Sequence, residues 1–228
     1  MKNVFYTLFF LSFAFFYHPA DAADYKARCK PFVEAPNVEV IAAYETLKYD
    51  RSKVSATLAR LHQKEYGGYV DEGYRVNGLS TYDLSTQLDF RVAKTSFRDG
   101  VTCFYPTDII LTLKMKNPTI YIARGIKPGT CEYEVALRHE QTHQQITIEV
   151  LEHYMPKIKD VFIKTVKKYA VAGRQKDDIS LDAAQQSLQK KYIDAINPVL
   201  DEIKSEIKQE QAKLDNLENY AYEQSLCQ

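Results

Sequence analysis

The chain has 228 residues, and its 30 basic side chains are balanced by 30 acidic ones, so the formal net charge is zero. That balance lacks the basic footprint of a nucleic-acid-binding protein. No internal repeat or low-complexity segment interrupts it, and the length suits one domain with a good core, or a domain with a helical extension.

Met1 to Ala22 reads as an export signal. Lys2 supplies a positive start, Val4 to Phe16 an apolar run, and Ala20-Asp21-Ala22 a small-x-small cleavage pattern. The run is short for a membrane span, and no later stretch approaches the ~20 apolar residues that one needs. The expected mature chain is therefore 23–228, periplasmic or secreted, with no transmembrane segment. Its four cysteines are an even count in an exported protein, which predicts two disulfides. Cys103 with Cys131 would tie the sheet to the helix that follows it, and Cys29 with Cys227 would join the ends. There is no C-x-x-C pattern, so a cysteine zinc site is not expected.

Residues 23–130 read as strand-rich with one helix. Val38 to Leu47 carries the β-branched and aromatic residues of a first strand, and Ser52 is placed to cap a helix running to about Tyr66. Leu88, Phe90 and Val92 alternate with polar neighbours, the period of a half-buried strand. Ile109 to Met115 and Thr119 to Ala123 predict two more strands, with Lys116-Asn117-Pro118 as a tight connection. A small, mainly antiparallel sheet is expected, with its last strand shortly before the next helix.

Residues 131–228 read as helical. A helix from about Cys131 should be kinked or ended by Pro156. A second helix, capped by Ser180, carries an apolar seam through Ile193, Ile196, Leu200, Ile203 and Ile207, disturbed by Pro198. The seam is expected to pack within the chain, against the stripe of Ile158, Phe162 and Tyr169, rather than form a dimeric coiled coil. A monomer is expected.

The chemistry concentrates in Arg138-His139-Glu140-Gln141-Thr142-His143, which contains His-Glu-x-x-His. Residues four apart lie one turn above each other on a helix, so His139 and His143 can aim at one point. Glu140 lies about 100° round from His139, within reach of that point. This is a zinc-hydrolase signature: two neutral imidazole ligands, and a carboxylate that takes a proton from water.

A catalytic zinc needs a third protein ligand. His153 lies too far along the helix and Glu149 on another side of it. Position 146 is Ile, where the longer metzincin motif needs Gly. The ligand is therefore expected from the C-terminal helical stretch. Glu210 falls where the seam would bury a side chain, and Asp215, Glu218 and Tyr220 are the other candidates.

The export signal, strand-rich unit, His139-Glu140-Gln141-Thr142-His143 and helical tail together resemble a bacterial family of domains described as secreted zinc-dependent proteases. The resemblance covers about Tyr82 to the C-terminus. The family's tail pattern Tyr-Asp-x-x-Thr-x-His-Gly falls on Leu214 to Ala221, where Asp215 matches and Tyr220 replaces the family's His. The resemblance implies an α+β, zincin-like fold, in which the sheet packs on the motif helix, and a metallopeptidase using Zn²⁺ and Glu140. Its substrate would be a peptide or protein, paired by strand addition to Thr119–Ala123. The alternative is a non-enzymatic periplasmic helical binding protein with a structural or degenerate metal site.

Overall fold

The computed structural model describes residues 29, 36–66, 75–98, 101–170, 172–174 and 180–227. The proposed export signal, 1–22, lies outside these residues. The elements are β1 (Asn37–Tyr44), β2 (Lys48–Asp50), α1 (Ser55–Tyr66), β3 (Gly78–Ser96), β4 (Thr102–Ile122), α2 (Cys131–Lys168), β5 (Ala172–Arg174), α3 (Leu181–Leu214) and α4 (Leu217–Ser225). The fold is α+β: a five-stranded sheet, then a long helical part.

Strand β4 is the spine of the sheet. All along one side it pairs antiparallel with β3. Its other side is shared by three short strands: β5 antiparallel at Thr102–Phe104, β1 parallel at Asp108–Met115 and β2 parallel at Thr119–Tyr121. The mainly antiparallel sheet expected from sequence is therefore corrected, because the path β1-β4-β2 is parallel throughout and the sheet is mixed. Parallel neighbours need a crossover, and α1, β3 and the bulk of β4 are interposed to supply it.

Lys116-Asn117-Pro118 is not a turn. It lies within β4, where the register slips between Thr81 and Asp83 and Asn117 takes a positive φ of 49°. Asn tolerates the left-handed region, and Pro118 has no N–H to offer a ladder, so the triplet makes a bulge in one long strand. Glu45 receives the Asn117 N–H at 2.9 Å, holding the bulge from the β1–β2 side. Buried residues shift across it from odd positions (Ile109, Leu111, Leu113) to even ones (Ile120, Ile122). Thr119–Tyr121 is paired on both sides, by β2 and β3. It has no free edge for a substrate strand, which corrects that expectation.

Helix α2 is 38 residues long and is capped by Thr130, whose side chain accepts the Tyr133 N–H. It continues through Pro156 instead of ending there. A proline inside a helix costs about 3 kcal/mol. Burying Leu151 before it and Ile158 after it offsets that, at roughly 1.5–3 kcal/mol for each such side chain. Helix α3 passes Pro198 in the same way, with Ile196 and Val199 buried on either side. The helix packing is intramolecular: Val150, Leu151, Ile158, Phe162 and Val166 of α2 share one core with Leu188, Tyr192, Ile196, Val199, Ile203 and Ile207 of α3 and with Ile109, Leu111 and Leu113 of β4. Ser180 caps α3, as expected. Ser52 does not cap α1; its N–H goes to Asp50 at 2.7 Å, and the helix begins at Ser55.

Both disulfides are paired otherwise than expected. Cys29 joins Cys103, with Cα atoms 5.6 Å apart, and Cys131 joins Cys227 at 5.5 Å. The reason is the unbroken length of β4. Cys103 sits at its start and Cys131 follows its end, so some twenty residues of strand, roughly 60 Å at ~3.3 Å per residue, separate positions that a disulfide needs within about 7 Å. No described helix is long and apolar enough to cross a membrane.

Candidate metal centre

The first half of α2 turns an unusual face inward. His139, Glu140, His143, Gln144 and Thr147 are all buried there. Buried polar groups require partners, and three elements supply them: the start of β3, the end of α3, and α4.

The α3–α4 corner delivers the decisive one. Asp215 is the C-terminal cap of α3, and Asn216 then caps α4 by accepting the Asn219 N–H. This turns the chain so that α4 lies across the first half of α2. Asp215 Oδ1 comes to 3.1 Å from His139 Nε2 and 3.1 Å from His143 Nε2, and the two imidazole nitrogens are themselves 3.1 Å apart. Three lone-pair atoms thus form an almost equilateral triangle. Tetrahedral zinc with ligands at 2.0–2.1 Å places its donor atoms roughly 3.3 Å from one another, so the triangle matches three corners of such a site. His139, His143 and Asp215 form a group that can hold a metal ion.

The surroundings reinforce the arrangement. Tyr220 donates its hydroxyl to Asp215 Oδ1 at 2.6 Å, and its ring stacks on His139 with centroids 5.3 Å apart. Glu223 lies on the far side of the same imidazole, its Oε2 3.0 Å from Nδ1. Burial works against a charged Asp215, but the hydrogen bonds from His139, His143 and Tyr220 outweigh it and hold the carboxyl far below the usual range. Burial likewise opposes a charged His139. The hydrogen bond to Asp215, with the negative charges of Glu140, Glu223 and Asp215, nevertheless raises its pKa above the ordinary 6.5.

Glu140 occupies a separate niche. It is only 6% exposed, and burial pushes its carboxyl up to about 7, against the pull of His143 and His139. The Ser80 backbone N–H bonds to its side chain, so the start of β3 forms its wall. Gly78 makes room for it: a Cβ there would stand 2.4 Å from Glu140 Oε1. Gln144, one turn on, donates to Ser80 Oγ at 2.5 Å and to the Thr81 carbonyl at 3.2 Å.

Of the four tail candidates, the structure brings Asp215 into the donor group and Tyr220 onto it as a partner. Glu210 and Glu218 stay outside. Glu210 is only half-buried and pairs with Lys213 at 2.6 Å; the buried position on α3 is its neighbour Gln211, which donates to Thr147 Oγ1. Glu218 is exposed on α4. Glu223 escaped the sequence reading, although its i, i+3 spacing from Tyr220 puts the two on one face of a helix. Comparison with protein-family models, with curated proteins and with solved structures finds no match to this chain, so the functional reading rests on the geometry of this centre.

Proposed function

We propose that the protein is an exported zinc metallopeptidase of zincin-like architecture that hydrolyses peptide bonds in peptide or protein substrates. The observation that carries this reading is the 3.1 Å triangle of His139, His143 and Asp215, with the buried carboxylate of Glu140 in the electrostatic reach of all three. His139, His143 and Asp215 would hold the ion, and three protein ligands with one open position are what distinguish a catalytic zinc site from a closed structural one. When bound, zinc supplies a Lewis acid that brings water toward a pKa of ~7 and polarises a carbonyl. Glu140 takes the proton onto its carboxylate and passes it to the leaving amine nitrogen. Burial lifts this carboxyl to about 7 before a metal binds, and a bound cation would draw it back toward the ionised form that a base needs. The Tyr220 hydroxyl holds Asp215 in place, so the residue that replaces the family's His serves the site as a partner of the ligand. Two disulfides suit the oxidising compartment to which an exported chain is delivered.

The alternative, a non-enzymatic helical binding protein, drew on the apolar seam. It drew also on Tyr220 in place of the family's His; Ile196, Ile203 and Ile207 of the seam are buried in the core with α2, so that part of its motivation falls away. The test is zinc per chain in the purified mature protein, beside hydrolysis of an unfolded protein such as casein. Near-stoichiometric zinc, lost in His139→Ala and Asp215→Ala but kept in Glu140→Gln, is the expected result, with hydrolysis lost in all three. A wild-type protein that takes up no zinc at neutral pH would overturn the reading.

A further inference from the structure

The geometry points to Glu223 as the positioning residue of the metal centre: it holds the Nδ1–H of His139 and so turns Nε2 toward Asp215 and His143. This rests on the reading of that group as a metal-binding site. An ionised carboxylate only accepts hydrogen bonds, so Glu223, with its two oxygens 3.0 and 3.3 Å from Nδ1, requires the ring proton on Nδ1. The nitrogen turned to Asp215 and His143 is then Nε2, where a bound metal would take the place of the proton that Asp215 attracts. The two histidines differ here. His143 Nδ1 is buried and has no hydrogen-bond partner among the described residues, so His139 is the one whose ring is held from its outer side.

Glu223 is itself braced. Asn219 donates through Nδ2 to Glu223 Oε1 at 3.3 Å and to the Leu214 carbonyl at 3.0 Å, which ties the carboxylate to the corner that presents Asp215. Tyr220 closes the ring's face. Helix α4 buries no residue of its own, so its placement depends on these polar contacts and on the Cys131–Cys227 bond. The ligand Asp215 and the residue that orients His139 therefore arrive on the same short piece of chain.

The experiment is zinc binding to the full mature chain, by competition with a chromophoric chelator, for the wild type, Glu223→Gln and Asn219→Ala. Nitrogen-15 NMR of the histidine rings in the metal-free proteins accompanies it. Glu223→Gln is expected to weaken zinc binding about 10–100-fold at an unchanged one ion per chain, the usual loss for an outer-shell partner. It should also lower the proton occupancy of His139 Nδ1, while Asn219→Ala moves both readouts the same way by less. Zinc affinity within twofold of wild type in Glu223→Gln overturns the role of Glu223 and leaves the metal centre standing. A weaker affinity with His139 Nδ1 as fully protonated as in the wild type also overturns it, since a merely structural contact would do that. A wild type that binds no zinc removes the underlying site, and the proposal with it.

Discussion

The two halves of α2 belong to one helix and do opposite things. From Ala136 to Thr147 it buries two histidines, a glutamate, a glutamine and a threonine; from Val150 to Val166 it buries Val150, Leu151, Ile158, Phe162 and Val166, with Thr165 the one polar side chain among them. The second half gains from removing apolar surface from water. The first half loses by desolvating polar groups and recovers only part of that through hydrogen bonds from β3, α3 and α4. Gln211 stands at the border, bonded to Thr147 Oγ1 at 3.1 Å and to the Tyr82 hydroxyl at 3.3 Å. The lesson is that the apolar half anchors the helix firmly enough for the other half to carry a buried polar cluster at a cost to stability.

Substitutions should separate the halves, and the largest effect belongs to the polar one. Glu140→Gln should lower kcat/KM on an unfolded protein substrate by about 10²–10⁴-fold with zinc content unchanged, read by steady-state kinetics beside metal analysis. In the apolar half, Phe162→Ala should cost about 3–5 kcal/mol in denaturant unfolding, because Phe162 is fully buried between Tyr192 and the sheet, while zinc per folded chain stays at wild-type level.

The pH dependence sharpens the contrast further. In the metal-free protein Glu140 holds its proton up to about 7, against an ordinary 4.5. The folded state therefore binds more protons than the unfolded one between those values, and this group's contribution to stability falls as pH rises through that window. Metal-free Glu140→Gln should match the wild type below pH 4.5 and exceed it above pH 7 by up to about 3 kcal/mol, measured by thermal unfolding across pH. Phe162→Ala should show no such pH dependence relative to wild type. The smallest effect is expected of Gly78→Ala, whose new methyl displaces the Glu140 carboxylate. It should cut kcat roughly 10–100-fold and leave zinc affinity unchanged. Equal loss of zinc would show that β3 supports the ligands as well as the base.

The legible parts of this molecule were those fixed within one element. His139, Glu140 and His143 follow from the helical period alone, and the packing of the α3 seam follows from its spacing against Ile158 and Phe162. Asp215 was legible only as one of four candidates, because its position depends on a corner between two helices and not on a repeat. Glu223 needed the docking of α4, which no buried apolar residue announces. The disulfide pairing failed for a different reason. Asn117 and Pro118 are turn formers by local preference, and reading them as a turn halves β4 and brings Cys103 falsely close to Cys131. The pairing of β3 along the whole strand overrides that preference.

The Cys131–Cys227 bond has a consequence for how the molecule breaks. His139, His143 and Asp215 all lie between its two cysteines, so every donor of the metal group sits on a single covalent ring. One cut anywhere in that ring, including between α2 and α3, opens a circle without dividing it. A nicked chain would migrate as one piece without reductant and as two with it. A chain exposed to proteases would thus survive a first cleavage with these three donors still joined.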